Sequence, residues 1–559
     1  MSISNPNLPK SILAFRAYNS QMFLRDLLAG ITVGLVALPL AMAFGIASGV
    51  TPQAGLYTAV VAGFLISALG GSRTQIGGPT GAFVVIVAGI VARFGMSGLA
   101  MVTVMAGLLL LLMGVTGLGG AVRFIPRMVV IGFTNGIAIL IASTQIKDFF
   151  GLRTGAVPSE FLPRIKLLVE HFASLNPAAL GLSLGTLSIL LLLPRFTKRV
   201  PASIVAVLVC TGVCVLFHLP VETIGSKFGG IPRGLPPFAI PDFHSEHILP
   251  LIPSAFTVAL LAALESMLSA VVADGMTGDR HNPNVELVAQ GIANIVSPMF
   301  GGIPATGAIA RTATNIRAGA RSPVSGMVHA VILLLILLIA APLASYIPLA
   351  TLAAILFVVA YNMGEWREIG PILQMDVTAI SVWIVTFALT VFADLTVAVG
   401  VGMTLAALLY IYRVAETTTV SPVTDEYIRD GLPHVLQGRI LPPYVTLLRI
   451  HGPFLFGTTE KLVEETVNLE VFAPVVILRL RNMTAIDATG IHAIETFGKR
   501  LHESGRTLLL CGAMQQPSKL LHGPRFLDRV GRENIMPNIQ AALDRAKEIH
   551  TAQPDAMAS

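Results

Sequence analysis

Two short segments of the chain carry the same run of residues. Residues 77–83 read GGPTGAF and residues 301–309 read GGIPATGAI, and both contain Gly-Gly, Pro, Thr, Gly and Ala in that order. Upstream of them, residues 32–42 (TVGLVALPLAM) align with residues 257–267 (TVALLAALESM). The offsets are 226 (306 − 80) and 225 (257 − 32), and the inserted residue Ile303 accounts for the difference. This pattern predicts an internal duplication in which each copy contains a helix interrupted by Gly and Pro.

The composition is that of a membrane protein. Charged residues make up 12% of the 559-residue chain and the mean hydropathy is +0.76, whereas a soluble domain carries about 25% charged residues. The net charge of +6 does not predict a nucleic-acid partner, because the Lys and Arg residues stand singly between apolar runs and form no basic patch. Most of the chain is therefore expected to be surrounded by lipid.

The cysteines and the amino terminus predict neither a metal site nor a processed leader. The chain has three cysteines, Cys210, Cys214 and Cys511. These are too few for a disulfide framework or a metal site, so we interpret them as packing residues and predict no cofactor. The first apolar run has no small-residue cleavage site before Thr51, and we therefore expect that no signal peptide is removed.

Hydropathy predicts a polytopic domain made of two inverted halves. Each copy of the duplication holds seven apolar segments, and an odd number of spans makes the second copy enter the bilayer from the opposite side. Cytoplasmic loops of membrane proteins are enriched in Lys and Arg. When the amino terminus is placed in the cytoplasm, most of the basic residues fall in loops on the cytoplasmic side. Both termini are thus predicted to be cytoplasmic. The fourteen segments lie at residues 27–50, 53–70, 80–94, 97–120, 126–146, 177–195, 201–218, 248–275, 285–299, 305–316, 323–346, 349–363, 376–393 and 394–413.

Beyond Arg413 the composition changes to that of a soluble protein. Apolar runs typical of strands alternate there with segments of helical periodicity, so we predict a small cytosolic α/β domain. The strand-like runs are 445–450, 475–480 and 507–511, and the helical segments are 460–469, 491–503 and 539–549.

The sequence predicts five regions with distinct compositions. Residues 1–19 and the tail are expected to be disordered or loosely held, because they are polar and lack periodicity. The regions are a cytosolic amino terminus at 1–25, a transmembrane domain at 26–413 with repeats at about 26–218 and 248–413, a linker at 414–440, the α/β domain at 441–550 and a tail at 551–559.

Each repeated element places the amino terminus of a helix at mid-membrane. Four backbone N–H groups there lack partners within the helix, and the aligned peptide dipoles add about half a positive charge. Thr80 and Thr306 are candidate N-caps. Two such ends that meet from opposite leaflets predict a site for one small anion, although small residues also allow close helix packing without any ligand. The small residues at which a ligand would approach the backbone are Gly81, Ala82, Gly307 and Ala308.

Two charged residues stand out within the apolar segments. Arg311 lies one turn into the second interrupted helix and would strengthen the attraction for an anion, unless its side chain extends to the membrane surface. Glu265 lies in the run VALLAALESMLSAVV, where the first copy has Leu40. An ionised carboxylate at mid-bilayer costs roughly 2.5–3.5 kcal/mol, so Glu265 is the candidate for a coupling proton, with Ser269 one turn later able to share a cation. The alternative for Glu265 is a structural carboxylate that is hydrogen-bonded to a neighbouring helix. The isolated His329 is interpreted as a structural residue.

The α/β domain contains one candidate regulatory residue. Asp487, Ala488, Thr489 and Gly490 follow an apolar strand and precede a helix. Thr489 is expected at or beside the N-cap, where a hydroxyl stabilises the helix and where a phosphate would also be stabilised. Capping alone and regulatory phosphorylation are the two interpretations.

Four stretches of the chain form one long combined motif. They are the first span (LAGITVGLVALPLAMAFGIASGVTPQAGLYTA), IGGPTGAF, GGIPATGAIARTATNIRAGARSP and the carboxy-terminal domain with DATG. Together they resemble the sulphate permease (SulP) family of anion transporters over essentially the whole chain. The resemblance implies the fourteen-span inverted-repeat fold of nucleobase transporters, with core and gate domains and a STAS domain like the anti-sigma-factor antagonists. It also implies a homodimer in which the core moves against the gate as an elevator.

The resemblance also implies roles for individual residues. The acidic coupling position of the family falls on Glu265, and Thr489 matches the serine that is phosphorylated in the antagonists, although Ala488 stands where they have Ser. Leu40 stands where animal relatives often have Gln, and Ile309 stands where a sodium-coupled bicarbonate member has Thr, which argues against sodium coordination. The positions of the family's anion site are Leu40, Phe44, Thr80, Gly81, Gly307, Ala308, Ile309 and Arg311.

These observations predict a secondary active transporter of a bacterial inner membrane and not an enzyme. The expected substrate is a small anion, either sulphate or a similar oxyanion or a dicarboxylate, and the expected coupling ion is a proton rather than sodium. Bicarbonate or chloride transport is the alternative within the family. A nucleobase–proton symporter is disfavoured by Arg311 and the STAS domain. A membrane receptor with vestigial transport, whose STAS domain binds a cytosolic partner, is disfavoured by the intact duplicated site.

Overall fold

The computed structural model forms two compact units, Met1–Thr404 and Leu405–Ser559. Most of the predicted linker, from residue 424 to 440, lies outside the described residues, as do residues 1–7 and the predicted tail from residue 553 onwards. The structure describes residues 8–15, 18–120, 126–155, 157–197, 200–231, 234, 238–241, 248–393, 395–423 and 441–552.

The first unit is built from apolar helices at the positions that hydropathy predicts. Within the described residues, nine helices are long and apolar enough to cross a membrane. The helix at Gly81–Val115 contains two predicted spans, because Gly95 adopts a φ of 66° and breaks it. In chain order the elements are α1 (Lys10–Phe15), α2 (Ser20–Ala47), α3 (Pro52–Leu69), β1 (Gly77–Gly78), α4 (Gly81–Val115), α5 (Arg127–Phe150), α6 (Phe161–Glu170), α7 (Pro177–Phe196), α8 (Ala202–Leu216), α9 (Ile224–Phe228), α10 (Ile248–Thr277), α11 (Pro283–Val296), β2 (Thr306–Gly307), α12 (Ile309–Arg317), α13 (Val324–Ala344), α14 (Leu349–Met363), α15 (Trp366–Ile372), α16 (Val377–Phe392) and α17 (Leu395–Thr417).

Helices from the two copies of the duplication interleave. α4 packs against α10 and α11, and α13 packs against α2 and α3, so each of these contacts joins one copy to the other. Together with α12 these helices form the core bundle. α5 packs against α14 and α16, and α7 packs against α8 and α14. These helices form the gate bundle together with α17, whose Gly402 lies against Thr386 of α16.

Small residues set the spacing of the helices in the core bundle. A methyl group at Gly107 of α4 would lie 2.7 Å from the carbonyl oxygen of Gly291 in α11, and one at Gly291 would lie 2.8 Å from the carbonyl oxygen of Gly107. Lipid gives no hydrophobic drive for helix association, so such close backbone contact is a main source of packing energy in a membrane.

The amino-terminal segment is held in place rather than loose. Lys10 Nζ forms an ion pair of 3.1 Å with Asp279, and the Ser11 hydroxyl donates a hydrogen bond of 2.5 Å to the Ala68 carbonyl at the end of α3. The prediction of disorder is therefore wrong for the described residues 8–15. It failed because the partners are far away in the sequence and leave no trace in local periodicity.

The second unit is an α/β fold around a five-stranded sheet. The sheet has the order β3-β4-β5-β6-β7, with β3 antiparallel to β4 and the other neighbours parallel. Burial raises the pKa of the Cys511 thiol at the end of β6 to about 12, so this thiol stays protonated and acts in packing. The elements are β3 (Thr419–Pro422), β4 (Val445–Phe454), α18 (Glu460–Glu465), β5 (Val475–Ile486), α19 (Ala488–Glu503), β6 (Thr507–Cys511), α20 (Gln515–Leu521), α21 (Pro524–Val530), β7 (Ile535–Met536) and α22 (Ile539–Ala552).

The start of this unit differs from the predicted linker at 414–440. α17 continues to Thr417, and Thr419–Pro422 form the edge strand β3. Lys461 Nζ donates hydrogen bonds to the carbonyls of Ala415 (2.6 Å) and Thr418 (2.5 Å) and so closes the end of α17. The polar, Thr-rich composition suggested a linker, but a strand at the edge of a sheet tolerates the same composition because one side of it is exposed. The other predicted boundaries stay predictions.

Candidate anion-binding site

The two repeated motifs meet at the centre of the core bundle. Gly77 pairs with Gly307 and Gly78 pairs with Thr306, so β1 and β2 form a short antiparallel ladder. The Ala308 N–H extends it with a 2.8 Å hydrogen bond to the carbonyl of Ile76. α4 and α12 begin directly after these strands, and because the strands are antiparallel the two helices leave the ladder in opposite directions. The sequence predicted this crossing of half-helices, and the pairing supplies partners for backbone that lipid could not satisfy.

Within the described part of the chain, neither half-helix is capped by a side chain. Thr80 is the N-cap of α4, but its hydroxyl accepts no hydrogen bond from the helix. The N-cap of α12 is Ala308, not Thr306. Thr306 lies in β2 and its hydroxyl donates a 2.9 Å hydrogen bond to the carbonyl of Ala262. Thr80 therefore occupies the predicted N-cap position without bonding the helix, and the prediction for Thr306 is wrong. Among the described residues, no side chain accepts a hydrogen bond from the first-turn N–H groups of either helix.

Thr80 contacts the candidate coupling residue instead. Its Oγ1 donates a hydrogen bond of 2.8 Å to Oε2 of Glu265 in α10. Glu265 itself is partly buried, between the fully buried Ser266 and the almost fully buried Leu264. The carboxylate thus lies one hydrogen bond away from the start of the first half-helix, and this bond joins two residues to which the sequence assigned separate roles.

Arg311 is buried beside the ladder. Its side chain is only 3% exposed, which excludes the alternative in which it extends to the membrane surface. Nη2 donates a hydrogen bond to the carbonyl of Pro79, whereas Nη1 has no hydrogen-bond partner among the described residues. The guanidinium interacts electrostatically with Glu265. A positive charge with a free donor is therefore held next to both helix starts.

Gly78 makes room for this guanidinium, and we expect Gly78→Ala to displace it. Gly78 has a φ of +145°, and a methyl group there would lie 2.7 Å from Arg311 Nη1. We expect a stability loss of about 1–3 kcal/mol from the backbone strain and an anion affinity lowered about tenfold. Thermal unfolding and equilibrium binding measure the two effects. Gly49→Ala is the control, because Gly49 also has a positive φ but has nothing within 4 Å of an added methyl group. Wild-type anion affinity in Gly78→Ala would contradict this prediction.

Two serines of α10 hold the second half-helix. Ser266 Oγ accepts a 3.0 Å hydrogen bond from the N–H of Gly307 and also bonds the Thr306 hydroxyl at 2.8 Å. Ser269 bonds the Thr312 hydroxyl of α12 at 3.0 Å. The hydroxyl of Ser269 is thus directed to α12, and its predicted role in sharing a cation stays a prediction. Ser266 was missed, although its place directly after Glu265 in an apolar run was a usable signal.

Apolar side chains surround the start of the first half-helix. A methyl group at Gly81 would lie 2.6 Å from Sδ of Met363, 3.3 Å from Ile141 and 3.4 Å from Phe44. Leu40, one turn before Phe44, packs against the same cluster. Gly81 therefore faces side chains of both the core bundle (Phe44) and the gate bundle (Ile141 and Met363). Met363 is a residue of this site that the sequence did not indicate.

The second half-helix begins in different surroundings. Ile309, its first residue, is 39% exposed, whereas Ala308 and the corresponding Ala82 of the first half-helix are buried. A methyl group at Gly307 would overlap the side-chain amide of Gln75. A substitution at Gly307 would therefore disrupt the ladder itself, and Gly81 is the better position at which to probe a bound anion.

Two buried carboxylates fix the loops next to the half-helices. Glu286 of α11 accepts a 2.9 Å hydrogen bond from the N–H of Gly71, before β1. Asp26 of α2 accepts a 3.1 Å hydrogen bond from the N–H of Ser322, after α12. Each carboxylate belongs to one copy and holds a loop of the other. Neither carboxylate was predicted from the sequence to have a role, because a carboxylate at the margin of a span is usually exposed.

Sequence comparison identifies the family. Residues 23–386 match the profile of the Sulfate permease family and residues 440–544 match that of the STAS domain. The chain belongs to the sulfate permease family. It is similar to YvdB of Bacillus subtilis (strain 168), a proposed sulfate transporter, with 42% identity over 523 residues that cover 93% of this chain and 97% of YvdB. It is also similar to the bicarbonate transporter BicA of Picosynechococcus sp. (strain ATCC 27264 / PCC 7002 / PR-6), with 31% identity over 547 residues, 93% of this chain and 94% of BicA.

Two solved structures share the fold of this sulfate permease family member. The structure of SLC26A9 superposes with a TM-score of 0.85 at 17% identity and covers 99% of this chain and 94% of that chain. The transmembrane domain of a cyanobacterial bicarbonate transporter, BicA, superposes with a TM-score of 0.61 at 32% identity and covers 70% of this chain and 98% of that chain. The predicted polytopic fold with a carboxy-terminal STAS domain is confirmed.

The STAS domain presents Thr489 at a helix start. Asp487 is the N-cap of α19, and its Oδ1 accepts a 2.8 Å hydrogen bond from the N–H of Gly490. Thr489 lies in the first turn of α19 and is exposed. The capping role therefore belongs to Asp487, and phosphorylation of Thr489 stays a prediction.

Proposed function

We propose that this member of the sulfate permease family is a proton-coupled symporter of a small anion, with the anion bound between the starts of α4 and α12. The observation that carries the proposal is the pair of half-helices without side-chain caps beside the buried Arg311. First-turn N–H groups, the helix dipoles and a guanidinium donor are all suited to a negatively charged ligand.

The charges of the site favour joint transport of an anion and a proton. Arg311 and ionised Glu265 together sum to zero charge. One monovalent anion and one proton leave that sum at zero, whereas either ligand alone leaves one uncompensated charge. Such a charge costs at least about 2.5 kcal/mol in the hydrocarbon, so a core bundle with a single ligand is expected to cross slowly. A dianion such as sulphate would need a second proton for the same balance.

Thr80 gives a route by which the proton affects anion binding. When Glu265 is ionised, the Thr80 hydroxyl donates to the carboxylate. Once Glu265 binds a proton it becomes a hydrogen-bond donor itself, and the Thr80 hydroxyl is then free to donate to the anion. Proton binding and anion binding therefore support each other, as coupling requires.

The proposed movement is that of the core bundle against the gate bundle within a homodimer, in the inner membrane of a bacterium with both termini cytoplasmic. Gly81 lies where the two bundles touch, since its neighbours come from α2, α5 and α14. An elevator movement would carry the whole ladder and its anion past Met363 and Ile141.

A competition uptake assay tests the substrate. Purified protein in liposomes is given one labelled anion and an excess of sulphate, bicarbonate, chloride, nitrate, fumarate or succinate, with and without an inward-acid gradient. Inhibition by one anion at much lower concentration than the others identifies the substrate. Bicarbonate is the second candidate, because the BicA relative is a bicarbonate transporter by name. Loss of all flux in folded protein would instead favour the receptor function.

We expect sodium not to replace protons as the driving ion. A hard cation needs several oxygen ligands, and Ile309 offers only an aliphatic side chain at the start of α12. Uptake at fixed pH is therefore expected to be equal in sodium and choline buffers. Strict dependence on sodium would refute this prediction.

We expect removal of the STAS domain to leave anion binding within about twofold of wild type and to change transport rate or abundance. The site described above contains no residue beyond residue 417. The cut belongs after Thr417, because Val420 is buried in the edge strand of the sheet and a cut there would leave half a strand. Equilibrium binding to the purified truncated protein, together with its level in membranes, checks the prediction. A large loss of affinity in folded truncated protein would contradict it.

The STAS domain is proposed to bind a cytosolic partner through the region around Thr489. A phosphate at the start of α19 would lie beside the Asp487 carboxylate and would change the local charge by about two negative units. Phosphopeptide mass spectrometry of protein from its host tests whether the modification occurs.

A further inference from the structure

His329 contributes a fully buried imidazole to the core bundle. It lies in α13 and is 0% exposed. Neither ring nitrogen makes a hydrogen bond of normal geometry with any described residue, although the backbone of Gly326, about one turn earlier, interacts with the ring. Leaving buried polar atoms unpaired costs about 1–3 kcal/mol each, and such groups in native proteins are usually bridged by an ordered water. The interpretation of His329 as an isolated structural residue leaves this cost unexplained.

The imidazole and the Arg311 guanidinium both lie near strand β1 of the ladder. A methyl group at Gly63 of α3 would lie 3.1 Å from the carbonyl oxygen of Gly77 and 3.7 Å from Cε1 of His329. One residue along the strand, a methyl group at Gly78 would lie 2.7 Å from Arg311 Nη1 and 3.5 Å from Cα of Ala59. Ala59 and Gly63 are one helical turn apart, so both side chains line the same short stretch of α3.

The unpaired atoms of the two residues are complementary. Arg311 Nη1 is a donor without an acceptor and the neutral imidazole has one acceptor nitrogen. The charge of Arg311 acts on His329. The elements packed against α13 are α2 and α3. Gly34 of α2 and Gly63 of α3 face His329. Ser67 of α3, whose hydroxyl is unpaired among the described residues, faces Gly326 of α13.

We propose that an internal water site behind the ladder links Arg311 Nη1 to a ring nitrogen of His329, and that His329 is a positioning residue for the anion site. With Nη2 bonded to Pro79 and one N–H of Nη1 bonded to this water, the guanidinium keeps its place beside the half-helix starts and does not turn to pair with Glu265, and its remaining N–H groups stay available to the anion. The inference rests on the proposed anion-binding role of Arg311.

The experiment compares two replacements of His329 in two backgrounds. His329→Gln keeps an acceptor and His329→Leu removes it at similar volume. We expect His329→Leu to lower anion affinity about tenfold and His329→Gln to stay within about twofold of wild type. In the Arg311→Lys background the difference between Leu and Gln is expected to disappear, because the Nη1 donor is absent. Equal losses for Leu and Gln, or the same difference in both backgrounds, would overturn the proposal.

A second measurement does not depend on the stability of a variant. A structure of the wild-type protein at a resolution that shows ordered water is expected to contain a solvent molecule within hydrogen-bond distance of both Arg311 and His329. Its absence would refute the inference. The proposed function fails separately, if Gly81→Val binds the anion normally and Glu265→Gln keeps the pH dependence of uptake while the His329 series still differs.

Discussion

Glu265→Gln is expected to abolish the dependence of uptake on an inward-acid gradient and to leave anion binding intact. Glutamine resembles the protonated carboxyl in shape, and its amide N–H can donate to the Thr80 hydroxyl, which in the structure donates to the carboxylate at 2.8 Å, but it cannot release a proton. Anion binding should therefore become independent of pH, and gradient-driven uptake should fall by at least about tenfold. Uptake into liposomes at a series of external pH values, with binding measured in parallel, checks both parts.

The control for this variant is Glu265→Asp, which shortens the side chain and keeps a titratable carboxyl. Some pH dependence is expected to survive in Glu265→Asp, at a lower rate because the Thr80 contact is stretched. An unchanged pH profile in Glu265→Gln would remove Glu265 from the coupling mechanism and would favour the structural interpretation of this carboxylate.

Gly81→Val is expected to lower anion affinity by about a hundredfold or more. The side chain would occupy the space in front of the first N–H groups of α4, which no side chain caps. The nearest atom to the new Cβ is Sδ of Met363 at 2.6 Å, so part of the effect could come from a clash with the gate bundle instead. Equilibrium anion binding to purified protein gives the affinity, and thermal unfolding gives the cost of the clash.

Two further variants separate blocking of the anion from steric strain. In Gly81→Val combined with Met363→Ala the clash is relieved, so stability should recover while anion binding stays lost. Gly89→Val places the same side chain on the same helix, where nothing lies within 4 Å of the added Cβ, and is expected to bind normally. If the double variant binds the anion with wild-type affinity, the anion does not lie at the start of α4.

The site was predictable where a residue conflicts with its local surroundings. Glu265 and Arg311 are charges within apolar segments, and Gly-Gly-Pro breaks a helix wherever it occurs. Their partners were not predictable. Thr80 has the same sequence signal whether it caps α4 or donates to Glu265, and Met363 resembles any other apolar residue near the end of a span.

The sequence by itself determined the architecture, because hydropathy, the odd number of spans in each copy and the duplicated motif depend only on the covalent order of residues. The strands and helices of the STAS domain that have strong hydrophobic periodicity were likewise predictable from the sequence alone. The tertiary structure decided which groups meet. It brought the carboxylates of Asp26 and Glu286 to loops of the opposite copy, bonded Ser269 to Thr312, and brought His329 close to Gly63, which lies against the ladder. The physical reason is that a hydrogen bond needs two groups at a fixed distance and angle, and for residues far apart in the chain that geometry exists only after the helices have packed.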